Sequence, residues 1–471
     1  MLMTNRIRRT LIWLLATMMA IPAFSDKGEK SKFPGGKTYL YRVSLCNKKG
    51  TPYSLLRPWE FLSAKSLERR NKQGLPLDST DLPQTPAYIE TIGNMKGVEV
   101  VSKSKWNNTV LVLVHDNSLV KPIEALPFVS DTKKVFESPD SITPPLRYRV
   151  SETLESKAQD DEYGAAALNI DLVKGKTLHN MGFKGRGMTI AVLDGGFMNV
   201  DRIPAMKEAN IIGIKDFVAF KATDFYEEHD HGTRVLSTMA INQPGIFVGT
   251  APEADYWLLR AEDTSTETLA EEDYWAAAAE FADSIGADII SSSLGYQDFD
   301  DNKMDHGYSE LDGAHALISR TASRLASKGI VHVNSAGNEG MGTWKKINFP
   351  ADAHNILAVG AVNEKRKNAV FSSVGPSDDG RVKPDIMALG SGTAVINGRG
   401  NISNDMGTSF AAPIISGMVA CLWQSARNKT AMEVMDAIRR SADNYSTPNN
   451  VFGYGVPDFS VAYKIIKQKR Q

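Results

Sequence analysis

Short apolar runs alternate with amphipathic segments over the last two thirds of the chain. Five runs rich in apolar and β-branched residues predict strands, at 188–193, 256–259, 288–291, 330–334 and 356–362. Apolar residues at helical spacing predict helices at 233–240, 269–285, 312–326, 409–425 and 430–441. Buried parallel strands are continuous apolar runs linked by helical crossovers. This alternation, which starts at Tyr163, predicts an α/β fold with a doubly wound, mostly parallel sheet.

A smaller α+β pattern precedes this region. Strands are predicted at 38–45, 98–101 and 109–114, and a short helix at 86–95. Residues 137–162 are polar and contain three prolines, which is typical of a linker.

A further helix is predicted at 59–74, and it is strongly basic. Its cationic side chains are Lys65, Arg69, Arg70 and Lys72. Runs of charge on a helix most simply form a solvated face, and we expect these residues to face water.

The amino end has the composition of a secretory signal peptide. Arg6, Arg8 and Arg9 precede an apolar run at 11–21, and small residues follow up to Ser25. Because this run is short for a membrane span, an uncleaved anchor helix is the less favoured alternative. The predicted divisions are a signal peptide at 1–25, a small domain with its linker at 26–150, and an α/β domain at 151–471. We expect a secreted protein, extracellular or periplasmic, with no membrane span once the signal is removed.

Composition narrows the possible functions only a little. The formal net charge is −1, so no nucleic-acid or other strongly charged partner is indicated. Cys46 and Cys421 are the two cysteines, and we expect both to be small, buried or half-buried residues rather than a disulfide.

Three motifs supply an acid, a base and a hydroxyl. Asp194 ends an apolar strand before two glycines, His231 begins His-Gly-Thr, and Ser409 lies in Gly-Thr-Ser-Phe-Ala-Ala-Pro. Taken singly, Asp194 is better explained as a turn residue, and Ser409 has a structural alternative as a helix N-cap. His229 and His231 also allow a metal interpretation, although their spacing on an irregular segment makes it weak. Together the motifs are those of nucleophilic acyl transfer, in which an imidazole held by a carboxylate activates a serine.

The order Asp…His…Ser and the motifs around it resemble the subtilisin-like serine proteases, from about Tyr163 to Ala462. The resemblance implies a secreted endopeptidase in which Asp194, His231 and Ser409 form the catalytic triad. It also implies that Asn338, in Ser-Ala-Gly-Asn-Glu-Gly, donates its amide to the oxyanion. Two motif positions differ from the usual family pattern: Gly195 stands where Ser or Thr is usual, and Phe410 where Met is usual.

Two small-residue segments after strands are candidates for substrate binding. They can pair with an extended peptide and leave room for its side chains. Their residues are Ser293, Leu294, Gly295, Ala336 and Gly337. Leu294 has ordinary core packing as its alternative.

The family resemblance also extends to the small amino-terminal domain and to metal binding. The segment 26–150 resembles the inhibitor-type propeptide of these proteases, with an independent binding domain as its alternative. No cofactor is required for this chemistry. Structural calcium is common in the family, but no calcium site is identified, and the acidic stretch at 298–302 is interpreted as a solvated loop.

Two other functions remain open. One is an esterase or amidase that uses the same triad, and the other is a non-catalytic peptide-binding protein on a protease fold. The sequence indicates neither the residue preferred before the cleaved bond nor the physiological substrate.

Overall fold

The computed structural model describes residues 30–34, 36–143, 146–151 and 160–468. The predicted signal peptide at 1–25 lies outside the described residues. Within the described part, none of the helices has both the length and the apolar character needed to cross a membrane.

The amino-terminal unit consists of a four-stranded antiparallel sheet and three α-helices. Its strands, in the spatial order β3-β4-β2-β5, are β2 (Tyr39–Leu45), β3 (Val98–Ser104), β4 (Thr109–Val114) and β5 (Val129–Glu137). A short pair, β1 (Ser31–Lys32) and β6 (Ser141–Ile142), lies beside it. Its helices are α1 (Ala64–Lys72), α2 (Pro86–Gly93) and α3 (Val120–Glu124).

The second unit is built on a seven-stranded parallel sheet. Its strands are β7 (Thr189–Asp194), β8 (Asn210–Asp216), β11 (Asp255–Arg260), β12 (Ile289–Ser292), β13 (Val331–Ser335), β14 (Leu357–Val362) and β15 (Ile386–Leu389). Their spatial order is β15-β14-β13-β12-β7-β11-β8. Two hairpins accompany the sheet: β9 (Asn242–Gln243) with β10 (Phe247–Val248), and β16 (Ser391–Ile396) with β17 (Ile402–Met406).

Helices cover both faces of this sheet. They are α4 (Ala167–Asp171), α5 (Lys176–Asn180), α6 (His231–Ala240), α7 (Ala270–Ile285), α8 (Leu317–Arg324), α9 (Thr408–Ser425), α10 (Ala431–Arg440) and α11 (Phe459–Lys467). Alternate residues of β7 enter opposite cores: Ile190 and Val192 pack in the core that contains α6 and α9, and Ala191 and Leu193 in the core that contains α7. The fold is therefore the doubly wound α/β arrangement expected from the sequence.

The prediction of a solvated basic face is wrong for Arg69 and Arg70, whereas the side chains of Lys65 and Lys72 are 41% and 54% exposed. Arg69 and Arg70 on α1 are 5% and 2% exposed, and both guanidinium groups contact the carboxylate of Asp283 on α7, at 2.5 and 2.7 Å. A buried charge is tolerated only when it is paired and hydrogen-bonded, and Asp283 supplies that partner from more than 200 residues away. The helix thus docks the amino-terminal unit onto the second unit.

Further charged contacts join the two units. Arg42 on β2 binds Asp273 at 2.7 Å, and Glu280 accepts hydrogen bonds from the turn after β3 at Ser104, Lys105 and Trp106. Helix α7 therefore presents a row of carboxylates to the amino-terminal sheet.

The two cysteines differ from each other. Cys421 is buried, as expected, whereas Cys46 is exposed, so the expectation of a buried or half-buried Cys46 is wrong. Cys46 follows the last residue of β2, where the chain leaves the sheet.

Candidate active site

Asp194 is the last residue of β7, at the carboxyl edge of the sheet. Sites in open α/β sheets form beyond this edge. The side chain of Asp194 is fully buried, and its Oδ1 accepts a hydrogen bond from the backbone N–H of Gly195 at 2.9 Å. The carboxylate is therefore fixed in place next to the end of the strand.

His231 is the first residue of α6, and its Nδ1 lies 2.8 Å from Oδ1 of Asp194. The glycine that follows it lets the helix approach the Asp194 turn, because a Cβ at Gly232 would lie 2.4 Å from the carbonyl oxygen of Gly196. Burial by itself lowers the pKa of His231, but the charge and hydrogen bond of Asp194 outweigh it and raise the pKa to about 9. The pair thus orients the imidazole and stabilises the imidazolium that forms when the ring accepts a proton.

Ser409 is the second residue of α9, where a backbone N–H has no partner within the helix. Its hydroxyl donates to the carbonyl of Ser293 at 3.3 Å, and the hydroxyl of Ser293 donates to the carbonyl of Ser409 at 2.7 Å. The described residues include no hydrogen bond between Ser409 and His231, although both line one cavity. Catalytic hydrogen bonds are often long or misaligned in the absence of substrate.

Asn338 lies on the loop after β13 and is held in one orientation. Its Oδ1 accepts hydrogen bonds from the backbone N–H and the hydroxyl of Thr408, at 2.9 and 3.0 Å. Because the oxygen is occupied, the amide NH₂ is directed away from Thr408. Thr408 immediately precedes Ser409, so this bond ties Asn338 to the nucleophile position.

One open cavity of about 310 Å³ brings these groups together. Its lining includes His231, Asn338 and Ser409, and four of the five predicted substrate-binding residues, namely Ser293, Leu294, Gly295 and Gly337. The fifth, Ala336, is fully buried outside the lining, and its carbonyl accepts a hydrogen bond from the backbone N–H of Asn348. The cavity is lined entirely by residues of the second unit.

Asn348 is a cavity residue that no sequence motif indicated. A Cβ at Gly337 would lie 3.0 Å from its Cγ, and one at Gly295 would lie 3.1 Å from its Cβ. Asn348 thus lies between the two glycine segments, and its buried Oδ1 has no partner among the described residues. Asn348 is therefore a polar residue of the cavity lining.

Glu262 is the other cavity residue that sequence reasoning missed. A Cβ at Gly195 would lie only 2.4 Å from Oε2 of Glu262. The glycine after Asp194 therefore provides room for this carboxylate. Burial and the nearby charge of Asp194 raise the pKa of Glu262 to about 7. The unusual Gly195 was the one available sequence signal, but it did not indicate which side chain fills the space.

His229, the other residue of the metal interpretation, accepts a hydrogen bond from the backbone N–H of His231 through its Nδ1, at 3.1 Å. Asp230 between them pairs with Arg234 at 2.9 Å. Through these contacts, His229 and Asp230 stabilise the start of α6.

Comparison with known proteins extends this picture. A model of the subtilase family matches residues 185–455, and a model of the peptidase S8 propeptide domain of Bacteroidota matches residues 40–149. Subtilisin NAT of Bacillus subtilis subsp. natto is 29% identical over 300 residues, which cover 63% of this chain and 69% of that protein. A subtilisin of Bacillus pumilus is 27% identical over 65% of this chain and 99% of its own length. An alkaline protease of Alkalihalobacillus alcalophilus is 25% identical over 77% of this chain and 87% of its own length.

The family match covers more than half of the 471 residues, and the chain belongs to the subtilase family. It is a serine-type endopeptidase with an amino-terminal propeptide domain. The predicted boundary at 150/151 stays a prediction.

Proposed function

We propose that the protein is a secreted endopeptidase that cleaves peptide bonds through an acyl-enzyme. Asp194, His231 and Ser409 form its triad, and Asn338 forms its oxyanion site. The observation that carries this proposal is the 2.8 Å bond between the buried Asp194 and His231, which lines the same cavity as Ser409 and Asn338.

Each group has one task in this mechanism. Ser409 attacks the peptide carbonyl while His231 accepts its proton and later returns it to the leaving amine. Asp194 fixes the imidazole tautomer and stabilises the imidazolium. The Asn338 amide and the backbone N–H of Ser409 donate to the oxyanion that develops on the carbonyl oxygen.

The substrate lies as an extended peptide between the two glycine-containing segments. Gly295 makes no backbone hydrogen bond to another described residue, so its N–H and C=O remain available to a peptide strand. The side chain of the substrate residue before the cleaved bond then points toward Asn348.

We also propose that the propeptide domain inhibits the enzyme until the segment after it is cut. The buried ion pairs of Arg69, Arg70 and Arg42 support this proposal, because they hold the domain on α7. The signal-peptide pattern at 1–25 supports secretion. The triad mechanism itself uses no cofactor.

A covalent probe combined with paired substrates tests the proposed function. We expect a fluorophosphonate to label Ser409, and labelling of the peptide that contains residues 408–425 is read by mass spectrometry. We also expect a peptide amide to be hydrolysed efficiently, as well as a simple ester. Ester turnover without amide turnover would favour the esterase alternative, and an unlabelled, inactive protein would favour the binding protein.

Asn338→Ala is expected to lower kcat far more than it raises KM, because the oxyanion exists only in the transition state. In subtilisin the loss of such a donor costs about 10²–10³ in kcat. Steady-state kinetics on a peptide substrate measures both constants, with Asn348→Ala as a cavity control expected to act mainly on KM. An Asn338 effect confined to KM would assign this residue to ground-state substrate binding instead.

A further inference from the structure

Three glutamate carboxylates converge behind the wall of the active-site cavity. Glu262 and Glu267 lie on the loop between β11 and α7, and Glu271 lies in the first turn of α7. One oxygen atom of each carboxylate lies within 4.8 Å of the others. Glu271 is fully buried, and the other two are half-buried. Like charges this close, out of water, repel strongly unless a positive charge lies among them.

A second observation comes from buried groups without partners. Both carboxylate oxygens of Glu271 and the hydroxyl of Tyr296 have no hydrogen bond of good geometry to any described residue. Tyr296 is 1% exposed, and its hydroxyl lies within side-chain interaction distance of the Glu271 carboxylate. Its hydroxyl therefore lies beside the cluster. Because buried polar groups are nearly always bonded, these atoms point to a ligand that they bind together.

The neighbouring cation does not neutralise the cluster. Arg260, which ends β11, already binds Asp216 at 3.0 Å and lies 3.6 Å from Glu228. Its charge is balanced by carboxylates outside the cluster. The compensating charge must therefore come either from protons shared among the carboxyl groups or from a bound ion.

We propose that Glu262, Glu267, Glu271 and the hydroxyl of Tyr296 bind one calcium ion. All the donors are oxygens, as hard divalent cations require. Oxygens on opposite sides of calcium lie about 4.6–5.2 Å apart, twice the usual bond of about 2.3–2.6 Å. The observed limit of 4.8 Å fits this span. Three carboxylates that bind through one or two oxygens each, together with the tyrosine hydroxyl, supply four to seven of the six to eight ligands that calcium takes, whereas magnesium prefers fewer carboxylates and more water.

The ion has a structural consequence for the cleft. Glu262 and Thr264 line the active-site cavity, while Glu267 and Glu271 lie behind them. Calcium would tie the loop between β11 and α7 to the start of α7, and it would hold this wall next to Asp194. The inference does not depend on the catalytic proposal, because the site is defined by residues outside the triad.

Terbium luminescence tests the site directly. Full-length Ser409→Ala protein, used to avoid self-cleavage, is titrated with Tb³⁺ and excited through its aromatic residues, of which Tyr296 touches the site. We expect saturable luminescence that Ca²⁺ displaces. Glu271→Gln in this background should weaken the affinity at least about tenfold. Asp436→Asn, an exposed carboxylate on α10, serves as the charge control and should leave binding unchanged.

Thermal unfolding provides a second test, because calcium and the substitution should each change the Tm in a defined direction. Millimolar calcium should raise the Tm of the parent protein, because an ion that binds only the folded state stabilises it. Glu271→Gln should remove this rise, yet it should have an equal or higher Tm in EDTA, since one buried charge is gone. Glu267→Gln, at a half-buried position, repeats the test if Glu271→Gln does not fold.

Two results would overturn the inference. One is a parent protein that binds neither Tb³⁺ nor millimolar Ca²⁺, which would mean that the carboxyl groups share protons instead of a cation. The other is binding that neither glutamate substitution weakens, which would place the ion elsewhere on the protein.

Discussion

Ser409→Ala is expected to remove nearly all peptide hydrolysis while leaving the fold intact. The members of a triad act as a unit, and in subtilisin the loss of the serine alone costs about 10⁶ in kcat. The substitution deletes one hydroxyl that donates a single hydrogen bond to Ser293, so its effect on stability is small. A peptide assay measures the activity, and circular dichroism measures the fold. Mass spectrometry should also show a chain that stays uncut within 137–165, where we expect the wild-type chain to be cut.

A matched control separates the nucleophile from the helix that carries it. Ser416 is a buried serine on the same helix, and its hydroxyl donates to Ser291 at 2.8 Å, away from the cavity. Ser416→Ala should keep its activity and its processing. If folded Ser409→Ala protein turned over peptide at nearly the wild-type rate, the triad assignment would be wrong.

The catalytic motifs were accessible from sequence because each of them marks the end of an element. Asp194 ends β7, His231 begins α6, and Ser409 is the second residue of α9. Strand ends with glycine and helix starts are local signals, and a parallel sheet brings its carboxyl ends to one edge. Their convergence is predicted by the resemblance of the three motifs to the subtilisin-like proteases, whereas the direction of the Ser409 hydroxyl toward Ser293 could not be predicted.

Two strands that the sequence pattern missed lie at the two edges of the parallel sheet. β8 (Asn210–Asp216) is an edge strand whose residues are all half-buried or exposed, and it includes Gly213. β15 (Ile386–Leu389) has only four residues. Edge strands and very short strands bury too little apolar area to give a distinct sequence pattern.

The burial of charged side chains could not be predicted from local sequence, because their ion-pair partners are distant in the chain. Arg69 and Arg70 form a basic face on α1. The sequence of this segment does not show whether that face contacts water or a distant carboxylate. The same holds for Glu262, whose proximity to Gly195 arises only when β7 and β11 pair. Burial of a charge depends on tertiary contacts, which a single sequence does not display.

At the propeptide interface, each of the two units contributes cations that bind carboxylates of the other unit. The propeptide domain contributes Arg69 and Arg70 to Asp283, while Lys328 of the second unit binds Asp81 of the propeptide domain at 3.1 Å. Asp283, Asp81 and the nitrogen-bearing ends of these cations are nearly inaccessible to water. Such a crossed arrangement fixes the position of α1 on α7, since a shift leaves charges buried without partners.

Asp283→Ala is expected to destabilise the full-length protein strongly and to weaken the hold on the propeptide. Removing one partner of a buried pair costs about 3–5 kcal/mol, and here two arginines lose the same carboxylate. Urea unfolding of full-length protein in the Ser409→Ala background measures the change in the free energy of unfolding. Glu68→Gln, which removes an exposed ion pair with Lys72 on the same helix, should have a much smaller effect.

The mature enzyme should respond differently from the full-length chain. Asp283 lies on α7 outside the cavity lining, so processed Asp283→Ala enzyme should keep the wild-type kcat/KM, whereas less of it should be recovered from refolding. Peptide assays on processed enzyme and quantification of the processed chain measure the two effects. Equal destabilisation by Asp283→Ala and Glu68→Gln would show that the buried pairs do not hold the propeptide domain in place.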